Sequence, residues 1–303
     1  MSPLRGVLER LLRDPRHYQI AALAGLLGWG VLGLRFDIGV AQVVVTVGTA
    51  LLAQWACGRL TRVALEPRSA LISALSLCLL LRTNHLALAA VAAVLAVASK
   101  FAIRVRGKHV FNPTNGALAA LLLLHAPVWV SAGQWGNTAL FCFAIAGVGL
   151  LVVNRAARSD VTLGFLAAYA LILFGRALWL GQRLAVPLHQ LESGALLLFA
   201  FFMISDPRTT PDSRAGRLLF AGLVAAGAAF VPFVLYRTNG LLWSLAAGSL
   251  LVPLIDRALP GARHHWPTPA APLSPEKGRI HETLVPAHAA LRPVAVPVAT
   301  RGA

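Results

Sequence analysis

Long apolar runs separated by short polar clusters make up most of the chain. They fall at residues 19–35, 38–56, 69–82, 86–103, 113–130, 137–153, 161–180, 191–205, 216–236 and 240–255. Most approach the roughly 20 residues that a helix needs to cross about 30 Å of hydrocarbon. Two are short, 69–82 and 191–205, and each ends in a polar cluster, Arg82-Thr83-Asn84-His85 and Ser205-Asp206-Pro207-Arg208. Such runs predict broken or half-spanning helices. The pattern as a whole predicts an all-α polytopic membrane protein with about ten transmembrane helices. Residues 1–18 read as a cytoplasmic segment, 19–256 as the membrane domain and 257–303 as a disordered cytoplasmic tail. The tail is rich in Pro and Ala and has no amphipathic period.

Composition agrees with a lipid-facing exterior. The chain is 57% hydrophobic and 13% charged, with a mean hydropathy of +0.71. That is about half the charge of an ordinary soluble domain. A net charge of +16 in a soluble protein would suggest nucleic acid, but here it reports topology. With the N-terminus inside and ten spans, 22 of the 27 Lys and Arg fall on the inner side. The outer five are Arg35, Arg82, Arg176, Arg183 and Arg237. Both termini are therefore expected in the cytoplasm, with the chain in a bacterial inner membrane and no nucleic-acid partner. Met1 to His17 is basic and lacks the short apolar core of a signal peptide. Cys57, Cys78 and Cys142 are far apart and form no CxxC, which argues against a cluster or zinc site built by this chain alone. The His264-His265 pair is a metal candidate by residue type, but a solvated tail is the simpler reading.

The chain also resembles itself. Thr114-Asn115-Gly116 opens the fifth run and Thr238-Asn239-Gly240 the tenth. Each triplet follows one of the polar breaks by just over thirty residues. Each break closes a short helix that opens with a serine, Ser69 or Ser193. Residues 19–130 and 137–256 are thus expected to form a 5+5 inverted repeat, because five spans is an odd number. In such folds the two broken helices meet near the midplane and line a buried site.

The breaks supply the candidate residues. Pro113 pushes Asn112 out of the helical region, so Asn112 can cap the fifth span. Thr114 and Asn115 add polar groups there, for a helix start at the surface or for a pocket edge. Asp206, flanked by Ser205 and Pro207, can cap local backbone, pair with Arg208 or accept from a ligand N–H. Arg82 with Asn84 is the counterpart, suited to the negative end of its helix or to snorkelling. The repeat predicts that Arg82 and Asp206 approach each other. Ser193 and Gly194 start the second broken helix, beside Glu192. Lys100 and Arg176 lie near span ends, where snorkelling is the simpler reading, and His125 follows a run of leucines. No phosphate loop, HExxH or nucleophile triad is present.

At these motifs the chain resembles the RnfD/NqrB family, membrane subunits of the Rnf complex and of the sodium-pumping NADH:quinone oxidoreductase. The segments that carry the resemblance run from Ser69 to Asp256. They include Ser69 to Leu77, Lys108 to Pro113, His189 to Ala195, Phe201 to Pro207, Gly216 to Phe220 and Val252 to Asp256. In length the chain is similar to a short branch found in natural-product clusters, including enediyne ones. The resemblance implies a fold similar to urea and ammonium channels, flavin binding, and electron transfer coupled to ion movement. Asn112, Pro113, Asp206 and Pro207 match the family's FNP and TDP motifs, and Ser193-Gly194-Ala195 its SGA. Members with covalent FMN attach it through a Thr in an S-x-A-T type motif, within a long insert after the fifth span. Here that connection is residues 126–136 and contains no Thr. Covalent FMN is therefore not expected. The resemblance implies a non-covalent flavin, riboflavin or FMN, or a quinone, held between the broken helices at Arg82, Asn84, Asn112, Pro113, Thr114, Asn115, Ser193, Gly194, Ser205, Asp206 and Pro207. Other membrane or redox subunits would supply and remove electrons. The rival expectation is a transporter module or membrane scaffold that has lost the flavin.

Overall fold

The computed structural model describes residues 14–130, 147, 149, 150, 152–154 and 158–264. Helices dominate them. In chain order they are α1 (Pro15–Leu32), α2 (Val40–Thr61), α3 (Pro67–Leu80), α4 (Leu86–Ala102), α5 (Pro113–Leu123), α6 (Ser159–Trp179), α7 (Ala185–Leu191), α8 (Gly194–Leu198), α9 (Arg214–Phe233) and α10 (Gly240–Ala258). A π-helical turn, Phe199–Met203, continues α8. Two short antiparallel ribbons complete the fold. Strand β1 (Leu81–Thr83) pairs with β4 (Val128–Val130), and β2 (Arg104–Val105) pairs with β3 (Lys108–His109).

The chain is a polytopic helical membrane protein. Among the described residues α2, α6, α9 and α10 are each long and apolar enough to cross a bilayer. The bent pair formed by α7 and Gly194–Met203, with 48° between its halves, makes a fifth candidate. Helices α3, α4 and α5 are apolar but shorter. The expected span at 137–153 lies largely outside the described residues, as does the tail beyond His264.

Helix starts follow local chemistry. Asp14 accepts from the Arg16 backbone N–H, with Pro15 at the first helical position. Asn112 and Pro113 do the same for α5, and Ser213 caps α9 by accepting from Gly216 N–H. Helices α9 and α10 pack closely through small residues. A Cβ on Gly227 would sit 2.9 Å from the Ser244 side chain, and one on Gly248 2.9 Å from Val224.

Ion pairs gather at one end of the bundle. Asp14, Arg16, Glu66 and Arg68 tie the start of α1 to the start of α3. Lys108 reaches Asp212 at 3.0 Å and Asp256 at 2.7 Å, tying the β2–β3 ribbon to the approach of α9 and the end of α10. Arg217 on α9 holds Asp160 on α6. The two Thr-Asn-Gly triplets differ in place. Asn115 is inside α5, three residues past its cap, whereas Asn239 is itself the cap of α10 in a left-handed conformation.

Candidate functional site

A cleft of about 200 Å³ opens between the first half of α3 and the end of the π turn. Its other walls are the last turn of α4, the β2–β3 ribbon and the start of α5. Ile72, Phe101, Phe201 and Phe202 give it apolar sides. Lys100 and Asp206 give it opposed charge, and they interact electrostatically across it.

Asn112 and Thr162 are placed by backbone that a regular helix would not leave free, and Lys100 and Thr114 by carbonyls of α3. The π turn shifts hydrogen bonding and releases carbonyls. Asn112 Nδ2 donates to the Met203 carbonyl at 3.3 Å, and Thr162 Oγ1 on α6 donates to Ala200 O at 2.8 Å. Asn112 Oδ1 meanwhile accepts from Asn115 N–H at 3.1 Å. Thr114 Oγ1 donates to Ser73 O at 3.4 Å, joining α5 to α3. Lys100 is only 4% exposed, and its Nζ donates to Ser69 O at 2.8 Å and to Ser69 Oγ at 3.0 Å. After the π turn, Asp206 Oδ1 accepts from Arg208 N–H, and its carbonyl accepts from Thr209 and Thr210.

The ribbon closes one side. Arg106 and Gly107 form its two-residue turn with φ of 52° and 77°, the primed geometry that suits a hairpin. Arg104 and His109 are cross-strand partners. Arg104 Nε donates to Lys100 O, and its guanidinium lies 5.5 Å from the centre of the Phe101 ring. Burial pushes the His109 imidazole down to about 4, and the charges of Arg104, Arg208 and Lys100 push the same way.

The cleft gathers Asn112, Pro113, Thr114, Ser205, Asp206 and Pro207 from the expected set. Asn115 lies just behind it, fully buried, with Nδ2 donating to Leu242 O at 3.2 Å and Oδ1 without a partner among the described residues. Ser193 caps α8 by position without a side-chain hydrogen bond, and Gly194 begins that helix, both outside the cleft lining. Arg82 and Asn84 are not part of it either. Arg82, 1% exposed, follows the far end of α3, about 20 Å along the helix from Ser69. Its Nη1 donates to Cys78 O at 2.9 Å and Leu81 O at 2.7 Å, which is helix-end capping. The structure therefore does not bring Arg82 and Asp206 together, because the two breaks face opposite ends of the bundle. Lys100, Ser69, Arg104 and His109 stand around Asp206 instead. Among the described residues no group of three or more His, Cys, Asp or Glu is placed to hold a metal.

Residues 125–263 match the model of the NQR2, RnfD, RnfE family. Over 134 residues the chain is 31% identical to an RnfD-type protein of Escherichia coli O9:H4 (strain HS), a subunit of an ion-translocating oxidoreductase complex, and to its counterpart in E. coli (strain K12). The same identity holds for the corresponding protein of Shigella flexneri serotype 5b (strain 8401). In each case the match covers 44% of this chain and 37% of the relative, so the chain matches little more than a third of these relatives' length.

Proposed function

We propose that this chain, whose residues 125–263 match the NQR2, RnfD, RnfE family, belongs to that family and is a membrane electron-transfer subunit that binds a planar redox ring in the cleft between α3 and the π turn. The observation that carries this reading is the cleft itself. It combines aromatic and aliphatic walls with one buried cation and one carboxylate at its edge. Its volume of about 200 Å³ falls below the roughly 300 Å³ where whole-ligand pockets begin. That suits a ring system more than an entire nucleotide. Bound non-covalently, a flavin would supply electron storage, and a quinone would serve as a mobile acceptor. The chain's own residues would do the rest. Phe101, Phe201 and Phe202 exclude water. Lys100 donates toward ring carbonyl oxygens, and Asp206 accepts from a ring N–H.

The relatives are subunits of an ion-translocating oxidoreductase complex. We extend that setting to this chain: other membrane or redox subunits deliver and remove its electrons, with coupled ion movement. The same reading includes ten spans in a 5+5 inverted repeat, an inner-membrane location and cytoplasmic termini.

A visible spectrum of the detergent-purified protein, taken before and after acid precipitation, tests it. A flavin band that passes to the supernatant is the expected result. A band retained in the pellet would mean covalent attachment. No band at good purity with flavin supplied, together with no quinone binding, would sink the redox reading in favour of a transport module or scaffold.

A further inference from the structure

The open end of the cleft carries more positive than negative charge, with Asp206 the one carboxylate among the described residues that faces its cations. Arg104, His109 and Arg208 line this end beside Lys100. The β2–β3 pairing sets Arg104 opposite His109. The Asp206-Pro207 turn delivers Arg208 to the same rim, with its backbone N–H held by Asp206 at 3.0 Å. The carboxylates near this rim already have other partners. Glu66 is held by Arg16 and Arg68, and Asp212 by Lys108. Asp206 caps the Arg208 turn and shares its one charge among Lys100, Arg208 and Arg158. The guanidiniums of Arg104 and Arg208 are left to repel each other. Beside them the buried Nδ1 of His109 has no hydrogen-bond partner among the described residues. The positive-inside rule accounts for basic residues on this side of the chain. It does not account for two arginines converging on the rim of one cleft beside an imidazole whose Nδ1 has no partner among the described residues.

We propose that Arg104, Arg208 and His109 form a phosphate-binding site at the mouth of the cleft. A guanidinium pair matches a phosphate with parallel N–H donors. The phosphate belongs either to the ligand whose ring occupies the cleft or to a phospholipid headgroup. This rests on the cleft being a ligand site and deepens it, since the first source would make the occupant FMN and not riboflavin.

The test uses the full-length protein in detergent. Dissociation constants for FMN and riboflavin are measured by flavin fluorescence. Inorganic phosphate is the competitor, and thermal unfolding is followed with phosphate or phosphatidylglycerol added. FMN is expected to bind at least about tenfold more tightly than riboflavin, the factor that one charge-assisted hydrogen bond confers. Phosphate should compete with FMN and leave riboflavin unaffected. The double variant Arg104→Gln/Arg208→Gln should lose the preference, and Arg208→Lys should keep part of it. Both arginines are exposed, so an unchanged unfolding midpoint without ligand shows that the variants fold. If neither flavin binds but phosphate or phosphatidylglycerol stabilises wild type and not the double variant, the phosphate site stands and the flavin reading falls. Equal affinity for the two flavins, with no effect of phosphate, phosphatidylglycerol or the substitutions, would overturn the phosphate site and leave the flavin reading intact. If none of the four binds, both are overturned.

Discussion

Asn112 uses both ends of its amide on backbone. Its Oδ1 caps α5 and its Nδ2 satisfies the Met203 carbonyl released by the π turn. Replacing it with Ala removes a cap worth about 1 kcal/mol and a donor worth about 0.5–1.5 kcal/mol to a buried carbonyl that the Asp206 N–H also reaches at 3.4 Å. We expect Asn112→Ala to lose about 2 kcal/mol in reversible unfolding. Asn112→Asp, which keeps the cap but not the donor, should fall between. Equal midpoints for all three proteins would refute the double role. His109 gives a pH signature. Its imidazole is held near 4 in the fold, against an ordinary 6.5. Between those values the unfolded chain binds a proton that the folded chain does not. Stability from this group is therefore complete above about pH 6.5 and declines as pH falls toward 4. Unfolding midpoints at pH 7.5, 6 and 5 should drop less steeply in His109→Gln than in wild type, and parallel slopes would refute the assignment.

At the scale of elements, the broken helices are held by donors far away in sequence. Gln42 on α2 donates to Leu81 O, beyond the end of α3, and Thr162 on α6 donates to Ala200 O in the π turn. In a bilayer no water replaces such donors, so these contacts decide whether the irregular backbone persists. Thr162→Val keeps the shape and removes the hydroxyl, and should cost about 1–3 kcal/mol. Thr162→Ser should stay within about 0.5 kcal/mol of wild type, and identical stability of the Val variant would show the carbonyl to be otherwise satisfied. This arrangement explains what the sequence can and cannot disclose. The breaks are legible because Arg82-Thr83 and Ser205-Asp206 interrupt apolar runs too short to span. The Asn112-Pro113 cap is legible because proline fixes the local geometry. The π turn is not, since Phe199 to Met203 is uninterrupted apolar sequence and its carbonyl acceptors are satisfied by Thr162 and Asn112. The β1–β4 ribbon is hidden for the same reason, as its strands lie more than forty residues apart. Lys100 reads in sequence as a snorkelling residue near a span end, yet it turns inward to Ser69. The repeat suggests Arg82 as the partner of Asp206 because it equates the two breaks, but Arg82 follows the far end of α3 from the cleft.

Across the whole molecule, ion pairs constrain the number of crossings. Lys108 and Asp256 touch at 2.7 Å, so an even number of membrane crossings must separate them. Helix α5, helix α6, the bent pair, α9 and α10 account for five. An even total asks for one more, and in the sequence the apolar run 137–153 approaches the length of a span. Asp160 and Arg217, paired at 2.6 Å, are separated by α6 and the bent pair, an even number as well. This parity supports the proposed ten spans over nine. The charge distribution orients them, since each Lys or Arg moved off an anionic cytoplasmic face forfeits about 1 kcal/mol. We expect single cysteines in a cysteine-free background to report this pattern with a membrane-impermeant maleimide. Pro127→Cys and Arg183→Cys, both at exposed positions, should label in intact spheroplasts. Arg106→Cys, Asn154→Cys and Arg257→Cys, also exposed, should label only after the membrane is opened. If Pro127→Cys and Asn154→Cys react from the same side, the run between them does not cross and the ten-span count fails. If all five sites report with sides exchanged, the count survives and the orientation is reversed, which places the cleft, its arginine rim and any soluble electron donor on the outer face.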